Sequence, residues 1–67
     1  MGLPEPNKAG EYWWRDGSAV FRAGPASVNA GKWGGMTPDD RAPVIGATPE
    51  EAAAMLAQIG YGPGRTA

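Results

Sequence analysis

The sequence predicts a small α+β domain: a two- or three-stranded antiparallel sheet with one C-terminal helix docked on it, and extended Gly/Pro-rich arms. Three observations carry this. Glu11 to Arg22, EYWWRDGSAVFR, reads as a β-hairpin turning at Asp16-Gly17. Residues 49–59 have helix-start signals, an apolar stripe and a glycine stop. Everything before Glu11 and after Tyr61 lacks periodicity, so the chain divides into an arm at 1–10, one domain at 11–61 and a tail at 62–67.

The arm MGLPEPNKAG holds two Pro and two Gly and suits extended, polyproline-like backbone. The hairpin follows. Asp-Gly between apolar runs is a strong hairpin signal, because a two-residue type I′ turn needs positive φ at both central positions. That turn sets Trp14 opposite Ala19, Trp13 opposite Val20, Tyr12 opposite Phe21 and Glu11 opposite Arg22. Side chains alternate along a strand, so Tyr12, Trp14 and Phe21 share one face, the predicted core face. Trp13 falls on the other face, half covered or open to a partner.

Ala26 to Ala30 is a weak candidate for a third strand, with Val28 its only strongly β-favouring residue. Gly31 to Gly35, GKWGG, reads as a flexible loop around Trp33. Two readings of Trp33 compete: a plug folded back on the core, or an exposed stacking platform. Thr37-Pro38-Asp39-Asp40 starts a helix that Pro43 cuts to one turn, and Val44-Ile45 reads as a short edge strand.

Thr48-Pro49-Glu50-Glu51 repeats the start with a capping box. Ala52, Met55, Leu56 and Ile59 then lie at i, i+3, i+4 and i+7, one apolar stripe. Gly60 suits a left-handed C-terminal residue, and Tyr61 can pack back on Leu56 as in a Schellman end. The predicted helix is Pro49 to Ile59, and the predicted core is Tyr12, Trp14, Phe21, Met55, Leu56 and Ile59.

Sixty-seven residues make one domain. A chain this short buries only about 60% of its unfolded surface, so small domains commonly add a disulfide, a metal or a partner. There is no Cys and no His, which removes disulfides and leaves zinc, haem and iron–sulfur centres almost without ligands. No cofactor is expected. Burial against a partner or against copies of the chain is the remaining supplement. The net charge of −1 argues against a dedicated nucleic-acid binder. No apolar run approaches the ~18 residues of a membrane span, and the first ten residues lack the apolar core of a secretory signal. Location in the cytosol is the default expectation.

The same missing residue types remove the commonest general base and the strongest nucleophile. The paired carboxylates Asp39/Asp40 and Glu50/Glu51 sit in first helical turns, where acids complement the helix dipole. Gly34-Gly35 lacks the rest of a phosphate loop. No catalytic residue is expected. Trp13, Arg15, Arg22 and Trp33 are the candidate contacts, since Trp, Tyr and Arg dominate interface hot spots.

Gly, Ala and Pro make 30 of the 67 residues, and Arg outnumbers Lys, the signature of a GC-rich coding sequence. In overall look the chain is similar to the small decoration or minor virion proteins of bacteriophages with GC-rich, actinobacterial-type genomes. The likeness lies in size, composition, acidic pI and the arm rather than in a motif. It implies a non-enzymatic structural role on a larger assembly such as one built of capsid protein, and a place in the virion or host cytoplasm. Two other classes compete. One is a soluble partner-binding regulator or inhibitor, phage-encoded or antitoxin-like. The other is a small carbohydrate- or single-strand nucleic-acid-binding module that stacks ligand on Trp.

Overall fold

The computed structural model describes residues 3–39 and 44–64. Four strands, β1 (Tyr12–Trp13), β2 (Ala19–Arg22), β3 (Trp33–Met36) and β4 (Val44–Gly46), form one antiparallel sheet in sequential order. Helix α1 (Pro49–Gln58) crosses one face, and a single 3₁₀ turn, Gly62–Gly64, follows it. The α+β class is as the sequence predicts, with four strands in place of two or three.

The hairpin forms at the expected place in a different register. Tyr12 pairs with Val20 and Trp13 with Ala19, one residue off the two-residue-loop pairing. Trp14 N–H donates to Ser18 O at 2.9 Å and Gly17 N–H to Trp14 O at 3.1 Å, so the loop has three residues, Arg15 to Gly17. This is a tight turn closed by a left-handed glycine, Gly17 at φ 93°. The two-residue turn would force Asp16 as well as Gly17 to positive φ, whereas the three-residue turn asks it only of glycine. Asp16 is instead held by donors: one carboxylate oxygen accepts from Ser18 N–H at 2.8 Å, the other from Gly62 N–H at 2.9 Å.

A one-residue slip exchanges the faces of one strand relative to its neighbour. Val20, not Phe21, therefore joins Tyr12 and Trp14 beneath the helix. Phe21 moves to the opposite face, and Glu11 loses Arg22 as its cross-strand neighbour.

The predicted third strand at 26–30 is a chain of turns, with Ser27 N–H on Gly24 O, Ala30 N–H on Ser27 O and Asn29 N–H on Ser27 Oγ. Local Ser and Asn hydrogen bonding outcompetes the ladder there. The strand forms later, from the stretch expected to be a loop. Gly35 sits within β3 because neighbours crowd the face it turns to the helix, whereas Gly34 meets only ordinary contacts. A Cβ on Gly35 would lie 2.6 Å from Val44 Cγ2 and 3.1 Å from Leu56 Cγ, and one on Gly34 would lie 3.5 Å from the Phe21 ring. Val44 and Ile45 form the expected edge strand. The single turn expected at 37–40 is a turn at Pro38 and Asp39, and its remainder lies outside the described residues.

Helix α1 begins where predicted: Thr48 Oγ1 accepts from Glu51 N–H at 3.1 Å, with Pro49 at the first position, and the Glu51 carboxylate reaches back to Ala47 N–H, one residue before the Thr48 N–H of a capping box. It ends in the Schellman pattern, Tyr61 N–H on Leu56 O and Gly60 N–H on Ala57 O, with Gly60 at φ 85°. The buried stripe is rotated from the predicted one. Ala52, Ala53 and Leu56 are buried with Val20, and Leu3, Tyr12, Trp14, Trp33, Val44 and Tyr61 pack around them. Met55 and Ile59 are 36% and 45% exposed. Close approach explains the rotation: a Cβ on Gly46 would lie 2.7 Å from Ala52 N. At that distance the contact takes alanines, and Ala52 and Ala53 lie at the buried face of the helix.

Candidate interaction surface

The strand pairings assign every described strand position to a face. Beneath the helix lie Tyr12, Val20, Arg22, Trp33, Gly35, Val44 and Gly46. On the opposite face lie Trp13, Ala19, Phe21, Gly34, Met36 and Ile45, all apolar. An antiparallel sheet with one solvated face alternates apolar and polar residues. This sheet does not alternate. Its second face is apolar from edge to edge, with Trp13 52% and Ile45 38% exposed.

Trp13 is held in place. Its indole Nε1–H donates to Glu11 Oε1 at 3.1 Å, and Asn7 Nδ2 donates to the same oxygen at 3.0 Å. Asn7 in turn closes the chain at 7–11: its Oδ1 accepts from Ala9 N–H at 3.0 Å and Glu11 N–H at 2.9 Å. The Asn7 hydrogen bond first, and the Trp13 one second, hold the Glu11 carboxyl below its ordinary value of 4.5.

The sheet edges are short. Antiparallel pairs alternate between bonded and non-bonded residues. With Trp14 bonded to Ser18, Trp13 turns its backbone groups outward on β1. The neighbouring outward groups of Glu11 are already bonded to Asn7. With Ala23 bonded to Lys32, the same alternation turns Ile45 outward on β4. Ala47 N–H is taken by Glu51 Oε1 at 3.1 Å. Among the described residues each edge thus presents about one residue to a further strand, too little for strand addition.

The four sequence-marked residues separate into three places. Trp13 lies on the open face. Arg15 is exposed in the hairpin turn. Arg22 and Trp33 come together across β2 and β3, with the guanidinium carbon 5.4 Å from the Trp33 ring centroid. Trp33 also meets Tyr12, ring centroids 5.8 Å apart and tilted by 52°. Trp33 is therefore a half-buried core member rather than a loop platform. Beside it an open depression of about 280 Å³ is lined by Ala9, Gly10, Glu11, Phe21, Arg22 and Trp33. Sequence reasoning does not reach Phe21, Met36 and Ile45 as surface residues, because their face follows from the hairpin register and from β3.

Among the described residues no group of three or more acidic, His or Cys side chains is placed to hold a metal ion, and no helix is long and apolar enough to cross a membrane. Comparison of the chain with family models, curated proteins and solved structures finds no match.

Proposed function

We propose that this chain is a non-enzymatic interaction protein that seats its open sheet face on a larger protein assembly, with a capsid decoration or minor virion role as its specific form. One observation carries the reading: the sheet face turned away from α1 is apolar at every described strand position. A fixed Trp at the edge of such a face is the residue type that anchors hot spots, and holding it in advance lowers the ordering cost of binding.

Size favours a large partner over a second copy. Strands lie about 4.8 Å apart and rise about 3.3 Å per residue, so four strands of at most four residues present roughly 250 Å². A stable complex takes about 800 Å² from each partner. A flat copy of the same face falls short of that, whereas an assembly that also reaches the 23–32 loop, where Val28 is 99% exposed, supplies the rest. An inhibitor or regulator would use the same face. The stacking reading is less favoured, because Arg22 and Tyr12 already occupy Trp33.

The test is photo-crosslinking in the producing cell, with benzoylphenylalanine at Trp13 and, as control, at the exposed Ala54. The expected result is one abundant adduct from position 13 with a subunit of a multi-subunit particle, and none from position 54. Adducts with copies of the chain alone, or equal labelling from both positions, overturn the reading. An adduct with a soluble monomeric protein moves it to the inhibitor class.

A further inference from the structure

We propose that the corner formed by Arg22 and Trp33 receives a peptide-borne carboxylate, an Asp or Glu side chain of the partner. The inference rests on the chain being a protein-binding module and adds the chemistry of the bound segment.

Arg22 is exposed, and among the described residues no carboxylate pairs with it. The hairpin register is the cause. Glu11, its partner in the two-residue register, lies opposite Phe21 on the other face of the sheet. The guanidinium is nevertheless not loose: it lies over the Trp33 ring, which Tyr12 braces. A cation held on an aromatic ring keeps its N–H fork free for a bidentate acceptor. Holding it beforehand reduces the entropy lost on binding.

The adjoining depression sets the ligand class. Its volume of about 280 Å³ falls just under the range of about 300–1,000 Å³ typical of small-molecule sites, and suits one side chain with its backbone. Glu11 lines it as well. Its carboxylate is engaged by Asn7 and Trp13 on the other face of the sheet. The site therefore presents a cation for an acceptor beside a space for a stem and its backbone. A peptide-borne Asp or Glu offers both, a carboxylate to Arg22 and a stem with backbone to fill the depression. Inorganic phosphate offers only the first, and a Gln side chain lacks the charge-assisted bond.

The experiment is a side-chain NMR titration of the full chain, following the Arg22 Nε–H and Trp33 indole signals with Arg15 as internal control. The probes are acetyl-Gly-Glu-Gly-amide, acetyl-Gly-Gln-Gly-amide and sodium phosphate at constant ionic strength. The Glu peptide is expected to shift Arg22 and Trp33 saturably, with the Gln peptide and phosphate at least about fivefold weaker and Arg15 unmoved. Arg22→Lys should remove most of that preference, while Trp13→Ala should leave it intact. No saturable response, parallel shifts at Arg15 and Arg22, or phosphate or Gln matching Glu would each overturn the proposal. Because the titration does not involve the Trp13 face, its failure leaves the crosslinking result standing, and a failed crosslink leaves the corner testable.

Discussion

The two faces of the sheet are built from the same residue classes and have opposite fates. Under α1, a methyl group on Gly46 would collide with the helix backbone at Ala52 N, and one on Gly35 with the Val44 and Leu56 side chains. On the other face Gly34 is flanked by Phe21 and Ile45 at ordinary van der Waals distance, and Trp13 is 52% exposed. One face is fitted to a particular neighbour, and the other, among the described residues, is apolar without a fitted neighbour. Hydrophobicity alone therefore does not tell a core from a contact surface. The distances a side chain would meet do.

The strongest way to break this contrast is to fill the seat under the helix. Gly46→Ala would place a methyl group 2.7 Å from Ala52 N. A backbone atom does not yield cheaply, so the expected cost is about 3 kcal/mol, the upper end for overpacking. Leu56→Ala, at a fully buried position, should cost about 2–5 kcal/mol. A core of this size rarely supplies more than about 3–5 kcal/mol, so either variant should be largely unfolded in urea titrations followed by near-UV circular dichroism. Native-like unfolding of Gly46→Ala would show that the helix does not sit on β4 as described.

Asp16→Ala should come next, at about 2 kcal/mol, since hydrogen bonds to a charged group carry about 1.5–3 kcal/mol. It would remove the acceptor shared by Ser18 N–H in the hairpin and Gly62 N–H after the helix, and loss of Gly62 amide protection in hydrogen exchange would report it. The same residue shows why the hairpin is legible in the sequence but its register is not. Asp16-Gly17 marks the turn locally, yet Asp16 is held by a residue 46 positions away. Helix α1 is legible almost to the residue, because Thr48, Pro49, Glu51 and Gly60 act within their own turns. Its buried stripe is not, because glycines on β3 and β4 decide which side chains fit. Strand β3 has one strand-favouring residue, Trp33, and its glycines make sense only once Phe21, Val44, Ile45 and Leu56 surround them. The candidate site divides the same way. Trp13 is exposed as its sequence position suggests, while the meeting of Arg22 and Trp33 follows from a strand pairing that the sequence does not announce.

Ser18→Ala should stabilise. The Ser18 hydroxyl is fully buried with no hydrogen-bond partner among the described residues, and an unmet buried polar group costs about 1–3 kcal/mol. Allowing for lost packing, the gain should be about 1 kcal/mol, seen as a rise of about 4–8 °C in melting temperature for a domain of this size. No rise, or a fall, would mean that the hydroxyl does find an acceptor. Acid should act more locally. The Glu11 carboxyl is held below 4.5 by Asn7 and then by Trp13, so the folded state favours its charged form. The stability this adds is present above the unfolded value and is lost as pH falls from 4.5 through the lower folded value. The Trp13 indole N–H resonance should shift over that window in the native chain and not in Glu11→Gln. A shift that persists in Glu11→Gln would assign the titration to another carboxylate.

The smallest expected effect is also the sharpest test of the two-face contrast. Gly34→Ala sits one residue from Gly35, on the same central strand, and differs only in the face it adds a methyl group to. That methyl would lie 3.5 Å from the Phe21 ring and 3.8 Å from Ile45 Cδ1. These are ordinary contacts, and replacing glycine within a strand removes its entropic penalty, so the change should be neutral or stabilising by up to about 1 kcal/mol. Gly35→Ala should instead destabilise, because its methyl meets Val44 Cγ2 at 2.6 Å with Leu56 close behind. Opposite signs at adjacent glycines, measured by urea unfolding of both variants, would establish that one face of this sheet is closed by its own helix and the other has room for a partner. Equal costs at both positions would mean that the open face is already packed, and would remove the ground for assigning it to an assembly.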